Sequence, residues 1–455
     1  MKLSWNLAVV ALSLLAGPAA GQTIYPIDRA SILIGARFDF KVEFPGVVQE
    51  DKAKVLVNGA EIIKAFGRAP EVIESEDGQA ASSLMLKDVV LSRPGTYTVT
   101  ATDGTNVRTV SWEVYATPAP RVAKNVIFFV GDGLSVAHVT AARILSRQIT
   151  EGKYHGLLAM DTMPHMAMTG TSGVDSVMTD SANSAHAYTT GHKSSVNALG
   201  VYASRAKDNL AHPKVETLTE LLKRRTGMAV GIVTNTEIED ATPAAMFAHT
   251  RRRSDYDVIV GQLLVAGPDV IMGGGSSNFL PKSTPGSRRG DEEDYVKKFR
   301  DAGYPLVTTV AELKDVAGKS ETRKLLGLFH PRNMDGALDR RILKQNTVKQ
   351  FPNQPDLTDQ VRAAIKVLSR NENGFVMMVE SGHIDKFSHP LDWERAVYDT
   401  IMMDNAVKIA LDFAAERNDT LVIVLPDHTH GLTIVGTIDD AKPGPEMRDK
   451  VGVYA

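Results

Sequence analysis

Five short apolar runs, at 126–130, 229–233, 270–272, 375–379 and 421–425, alternate with stretches of helical periodicity such as 218–224 and 395–413. Continuous apolar runs of this length read as strands buried on both faces. A mainly parallel sheet with crossover helices is the arrangement that buries them. The expected fold over 125–455 is therefore α/β, a largely parallel sheet flanked by helices. A chain of 455 residues with 43% hydrophobic content can build that core and a further domain.

The further domain is expected over 22–115. Alternating runs at 38–42 and 97–101 lie among turn signals such as Pro94-Gly95 and Asp103-Gly104, the pattern of a small β-sandwich, here immunoglobulin-like. It carries no cluster of His, Asp or Glu suggestive of chemistry, which leaves it an accessory role. The run Ala116-Thr117-Pro118-Ala119-Pro120 opens a linker over 116–124. Residues 1–21 begin Met1-Lys2, continue through an apolar stretch at 7–15 and end in small residues, as a secretory signal peptide does. The expected location is periplasmic or extracellular. That stretch falls short of the ~20 residues a membrane span needs, so no span is expected.

A net charge of -3 lacks the basic field of a nucleic-acid binder. With no cysteine in the chain, disulfides are excluded and any metal must be held by oxygen and imidazole.

Polar residues of interest follow three of the apolar runs: Asp132, Glu380 and Asp427-His428. Open α/β sheets form ligand sites at that edge. Gly131-Asp132-Gly133 lets the backbone approach an ion while Asp132 offers a hard oxygen, although a plain Asp-Gly turn has the same signature. In the segment 380–389, Asp385 and His389 stand four apart and would share one face of a helical turn, suited to gripping one ion, with Glu380 near a second. Asp427-His428-Thr429-His430 offers donors to a metal from Asp427 and His428, with His430 among the residues around it. Ser181, in Thr179-Asp180-Ser181-Ala182, reads either as an N-cap or as a hydroxyl facing an anionic substrate at a helix N-terminus. No Ser-His-Asp spacing accompanies it, so activation would come from a metal.

These residues resemble the alkaline phosphatases. The motifs that carry the resemblance are 125–133, Thr179-Asp180-Ser181-Ala182, Asp240-Ala241-Thr242-Pro243, the segment 380–389 and Asp427-His428, within 125–431. The resemblance implies that Asp385 and His389 hold one zinc, that Asp132, Ser181, Asp427 and His428 hold a second, and that Asp132, Thr242 and Glu380 hold one magnesium. It also implies that Arg253 clamps the phosphate, with Arg251 and Arg252 as close rivals for that role. Asp240 and Lys386 match positions around the metals, and a surface ion pair is the plain alternative for them. The family takes a further zinc histidine from a later His-Thr-Gly segment, whereas no histidine follows His430 here, so the sequence is expected to be C-terminally incomplete.

The implied activity is hydrolysis of small-molecule phosphate monoesters through a phosphoserine on Ser181, with two zinc ions and one magnesium; a homodimer is compatible with it. A phosphodiesterase of the same superfamily typically uses Thr as nucleophile and lacks the magnesium site. A sulfatase would need a Cys/Ser-x-Pro-x-Arg setting that Ser181 lacks. A non-catalytic exported binding protein is the alternative from another class.

Overall fold

The computed structural model describes residues 21–49 and 52–434. Residues 1–20 of the expected signal segment and residues 435–455 at the C-terminal end lie outside the described residues. The chain divides into two compact units between Tyr115 and Ala116. Among the described residues, no helix is long and apolar enough to cross a membrane.

The first unit is built of two sheets. One holds Thr23–Tyr25, Arg37–Glu43, Ser83–Val90 and Glu71–Ile73; the other holds Ala30–Leu33, Val107–Tyr115, Gly95–Thr102, Lys54–Val57 and Ala60–Glu61. Alternation along the strands turns Phe38 and Phe40 of the first sheet and Trp112 of the second inward. The phenylalanine rings meet the indole edge-on at 5.7 and 6.0 Å, and the indole Nε1 donates to the Pro26 carbonyl over 2.9 Å. Pairing is antiparallel except between Ala30–Leu33 and Val107–Tyr115.

The second unit carries seven strands, numbered here β1 (Asn125–Gly131), β2 (Ala229–Glu237), β3 (Val270–Gly274), β4 (Leu306–Val307), β5 (Leu325–Leu328), β6 (Phe375–Ser381) and β7 (Thr420–Pro426). They form one sheet in the order 4-5-3-2-6-1-7, and every pair is parallel. Ile127 and Phe129 enter one core, while Phe128 and Val130 enter the other on the opposite face. The absence of polar alternation in β1 follows from those two cores.

Five helices matter below: α1 (Val136–Arg147), α2 (Ser181–Thr190), α3 (Leu357–Leu368), α4 (His383–Ser388) and α5 (Trp393–Arg417). Helix α3 buries Leu357, Val361, Ala364 and Leu368, spaced three or four apart, with Ala363, Ile365 and Val367 beside them, so a broad face meets the first core. Helix α5 packs the same core through Met403, Val407 and Ala410.

Candidate active site

The site lies where the C-terminal ends of β1, β6 and β7 meet α2 and α4. Parallel register pairs Gly131 with Pro426, so Asp132 and Asp427, the next residue on each strand, leave the sheet at one level. Glu380 stands inside β6 rather than beyond it, because pairing with β1 runs on to Gly131 and Ser381. After Asp132 the backbone turns through Gly133 at φ +69°, where a Cβ would lie 3.1 Å from the His430 ring and 3.3 Å from Asp385. A side chain there would meet both a strained conformation and a close approach, which glycine avoids.

Ser181 is not the N-cap. Asp180 takes that role, accepting from the Asn183 N–H over 3.2 Å, and Ser181 becomes the first residue of α2 with its hydroxyl free for the site. Ser181 Oγ lies 3.4 Å from both carboxylate oxygens of Asp132 and 3.2 Å from His428 Nε2. The unpaired backbone N–H groups of a helix start favour a negative charge there.

Arg253 Nη1 donates to Asp180 Oδ2 over 3.2 Å and Nη2 donates to Asp240 Oδ1 over 2.9 Å. Of the three adjacent arginines it alone is drawn to this edge: Arg251 is spent on the Val196 carbonyl and Arg252 is exposed. Lys386 Nζ holds the other oxygen of Asp240 at 2.7 Å. Asp240 is buried, so the pair is no surface salt bridge. Burial opposes its ionisation, but Lys386 and Arg253 outweigh that and hold it below the usual carboxylate range.

Four carboxylates, those of Asp132, Glu380, Asp385 and Asp427, are 4% exposed or less at this edge. Burial first, then the charges of Asp427, Asp385 and Glu380, pushes Asp132 well above the ordinary range. Burial likewise pushes Glu380 up to about 7, although Thr234 and Thr236 donate to it, the latter over 3.0 Å. Lys386 and Arg253 are already committed to Asp240 and Asp180, so further positive charge is needed for Asp132 and Glu380 to ionise.

The donor geometry fits divalent cations. Asp385, His389 and His430 bring ligand atoms within 4.8 Å of one another, and so do Asp132, Asp385 and His428. His430 Nε2 is 3.0 Å from Asp385 Oδ1 and His389 Nε2 is 3.4 Å from Asp385 Oδ2. Thr242, in the short helix Ala241–Ala244, has a buried Oγ1 with no hydrogen-bond partner. Imidazole with carboxylate suits zinc, and an all-oxygen set suits magnesium.

An alkaline phosphatase family model matches residues 123–446. The chain belongs to the alkaline phosphatase family. It is 34% identical over 357 residues to the tissue-nonspecific alkaline phosphatase of Gallus gallus, covering 71% of this chain and 66% of that one. It is 34% identical over 359 residues to the alkaline phosphatase of Escherichia coli K12, covering 71% and 73%. Among solved structures it is similar to the Thermus thermophilus alkaline phosphatase, with a TM-score of 0.59, 28% identity, and coverage of 69% of this chain and 61% of that one. A cold-active alkaline phosphatase from a psychrophilic Shewanella gives 0.57 and 27%, covering 69% and 70%. This family member thus spans about two thirds of the length of such relatives.

Sequence reasoning assigned no role to Asp180, Thr234 or Thr236. Asp180 had a readable signal, an Asp directly before a small-residue helix start. The two threonines had none, since their partner Glu380 lies 146 and 144 residues away.

Proposed function

We propose that this chain is a phosphomonoesterase that forms a phosphoserine on Ser181. The observation that carries the reading is the convergence on one helix start: Ser181 Oγ faces Asp132 and His428, while Arg253 is held to Asp180, the residue before the serine. A phosphate ester seated there offers its non-bridging oxygens to the guanidinium fork of Arg253 and to the N–H groups of α2. Ser181 Oγ then attacks phosphorus in line, the alcohol departs, and water later releases phosphate from the serine. Asp180 and Asp240 keep the guanidinium plane fixed through both halves of the reaction, and Lys386 keeps Asp240 in place.

Asp385, His389 and His430 would hold one zinc; Asp132, Ser181, Asp427 and His428 a second; and Asp132, Thr242 and Glu380 a magnesium. Bound there, the cations supply positive charge that favours loss of the serine proton and balances charge on the leaving oxygen. The third donor set, with Thr242 and Glu380, favours monoesters over diesters. Export, directed by residues 1–21, and an accessory role for the first unit belong to the same proposal.

Hydrolysis of a chromogenic phosphate monoester at alkaline pH, beside the matching diester, tests it. Activity lost to chelator, restored by zinc with magnesium and greater on the monoester is the expected result. A preference for the diester, or activity indifferent to chelation, would overturn the reading.

A further inference from the structure

A buried polar chain ties the loop after β1 to α4. His138, on the first turn of α1, is 1% exposed. The Ser135 N–H donates to its Nδ1 over 3.2 Å, so that nitrogen is bare and the ring proton sits on Nε2. Nε2 in turn donates to Ser388 Oγ over 3.0 Å, and the Ser388 hydroxyl donates to the Ile384 carbonyl over 2.6 Å. Every role in the chain is therefore set. Burial agrees with a neutral ring, pushing its pKa down to about 4.

The two ends of this chain are the segments that carry the candidate ligands. Ser135 is three residues beyond Asp132, and Ser388 lies between Asp385 and His389. The same loop meets the residues after β7, since the Gly133 N–H donates to Asp427 Oδ1 over 3.0 Å and the Gly133 carbonyl accepts from the His430 N–H over 2.8 Å. No such backbone bridge links the loop to α4 among the described residues, so the imidazole is the direct polar tie between them.

We propose that His138 is a positioning residue that fixes α4 against the loop after β1, and so sets the spacing of Asp132, Asp385 and His389 before any cation arrives. The proposal rests on the reading of these residues as a metal site. A residue that only stabilised α1 would lower the melting temperature without changing how tightly a cation is held. A positioning residue changes affinity and coordination geometry as well, by roughly tenfold where such supports have been removed.

The test is titration of metal-free full-length protein with cobalt(II), followed by visible absorption, for wild type, His138→Phe, His138→Gln and His330→Phe. His330 is a buried imidazole paired with Thr347 at 2.8 Å and serves as the structural control. Expected are roughly tenfold weaker cobalt binding and an altered band for His138→Phe, recovery in His138→Gln, whose amide can both donate and accept, and wild-type affinity for His330→Phe. If His138→Phe does not fold, Ser388→Ala breaks the same chain and should show the same loss. Wild-type affinity and spectrum in His138→Phe or Ser388→Ala, or an equal loss in His330→Phe, would overturn the proposal. Failure of the wild type itself to take up cobalt would overturn the metal-site reading, and this one with it.

Discussion

Arg253 reaches Asp180 across 3.2 Å, and Asp180 caps the helix that Ser181 opens. One carboxylate thus orients the guanidinium and anchors the start of α2. Asp180→Ala should lower stability by about 1 kcal/mol through loss of the cap, and raise KM about tenfold through loss of a charged hydrogen bond. Asp180→Asn should keep the cap, leave the melting temperature near wild type, and still raise KM. An unchanged KM in Asp180→Asn would mean that Asp240 alone orients Arg253.

Ser181→Ala removes the attacking oxygen while leaving the carboxylates and imidazoles in place. Turnover should fall by a factor on the order of 1,000 or more. Trapping of labelled phosphate on the protein should disappear while zinc content stays close to wild type. Label retained on the variant would place the covalent step on another residue.

Thr242→Val exchanges a buried hydroxyl that has no partner for a methyl group of the same shape. The metal-free protein should melt at the wild-type temperature or above, since an unsatisfied buried polar group costs about 1–3 kcal/mol. Magnesium affinity, read by the concentration that restores activity to zinc-loaded protein, should fall. A lower melting temperature without magnesium would show that the hydroxyl has a structural partner after all.

The pH dependence of the metal-free fold has a definite sign. Burial pushes both Glu380 and Asp399 up to about 7, above the ~4 of an unfolded carboxyl. Their contribution to stability is fully present below about pH 4 and is lost as pH rises through 7. Between pH 5 and 8 these two groups should make chelated protein progressively less stable. Zinc with magnesium, which favour the ionised form of Glu380, should raise the melting temperature more at pH 8 than at pH 5. Calorimetric scans at the two pH values, with and without metal, measure both effects.

The sheet was legible in the apolar runs because strands buried on both faces have no polar alternation to confuse the reading. β4 and β5 were not read: β4 has two residues, and β5 is interrupted by Gly327. The ligand candidates were legible as donors at strand ends, but their grouping was not. The approach of His430 to Asp385 depends on the turn at Gly133, which no spacing in the sequence reveals. Asp180 and Ser181 are equally good caps by composition, and only the backbone decides between the two adjacent candidates.

β1 lies between β6 and β7, and the Gly133 amide is bonded to a carboxylate 294 residues further along the chain. During synthesis the strand that delivers Asp132 must wait for β6 before one of its edges is covered and for β7 before the other. A ribosome-bound or proteolytically shortened chain ending before β7 would hold most of the core and lack Asp427, His428 and His430. Cation binding at the proposed sets that use those three residues would therefore come late, and would serve as a clock for the completion of folding.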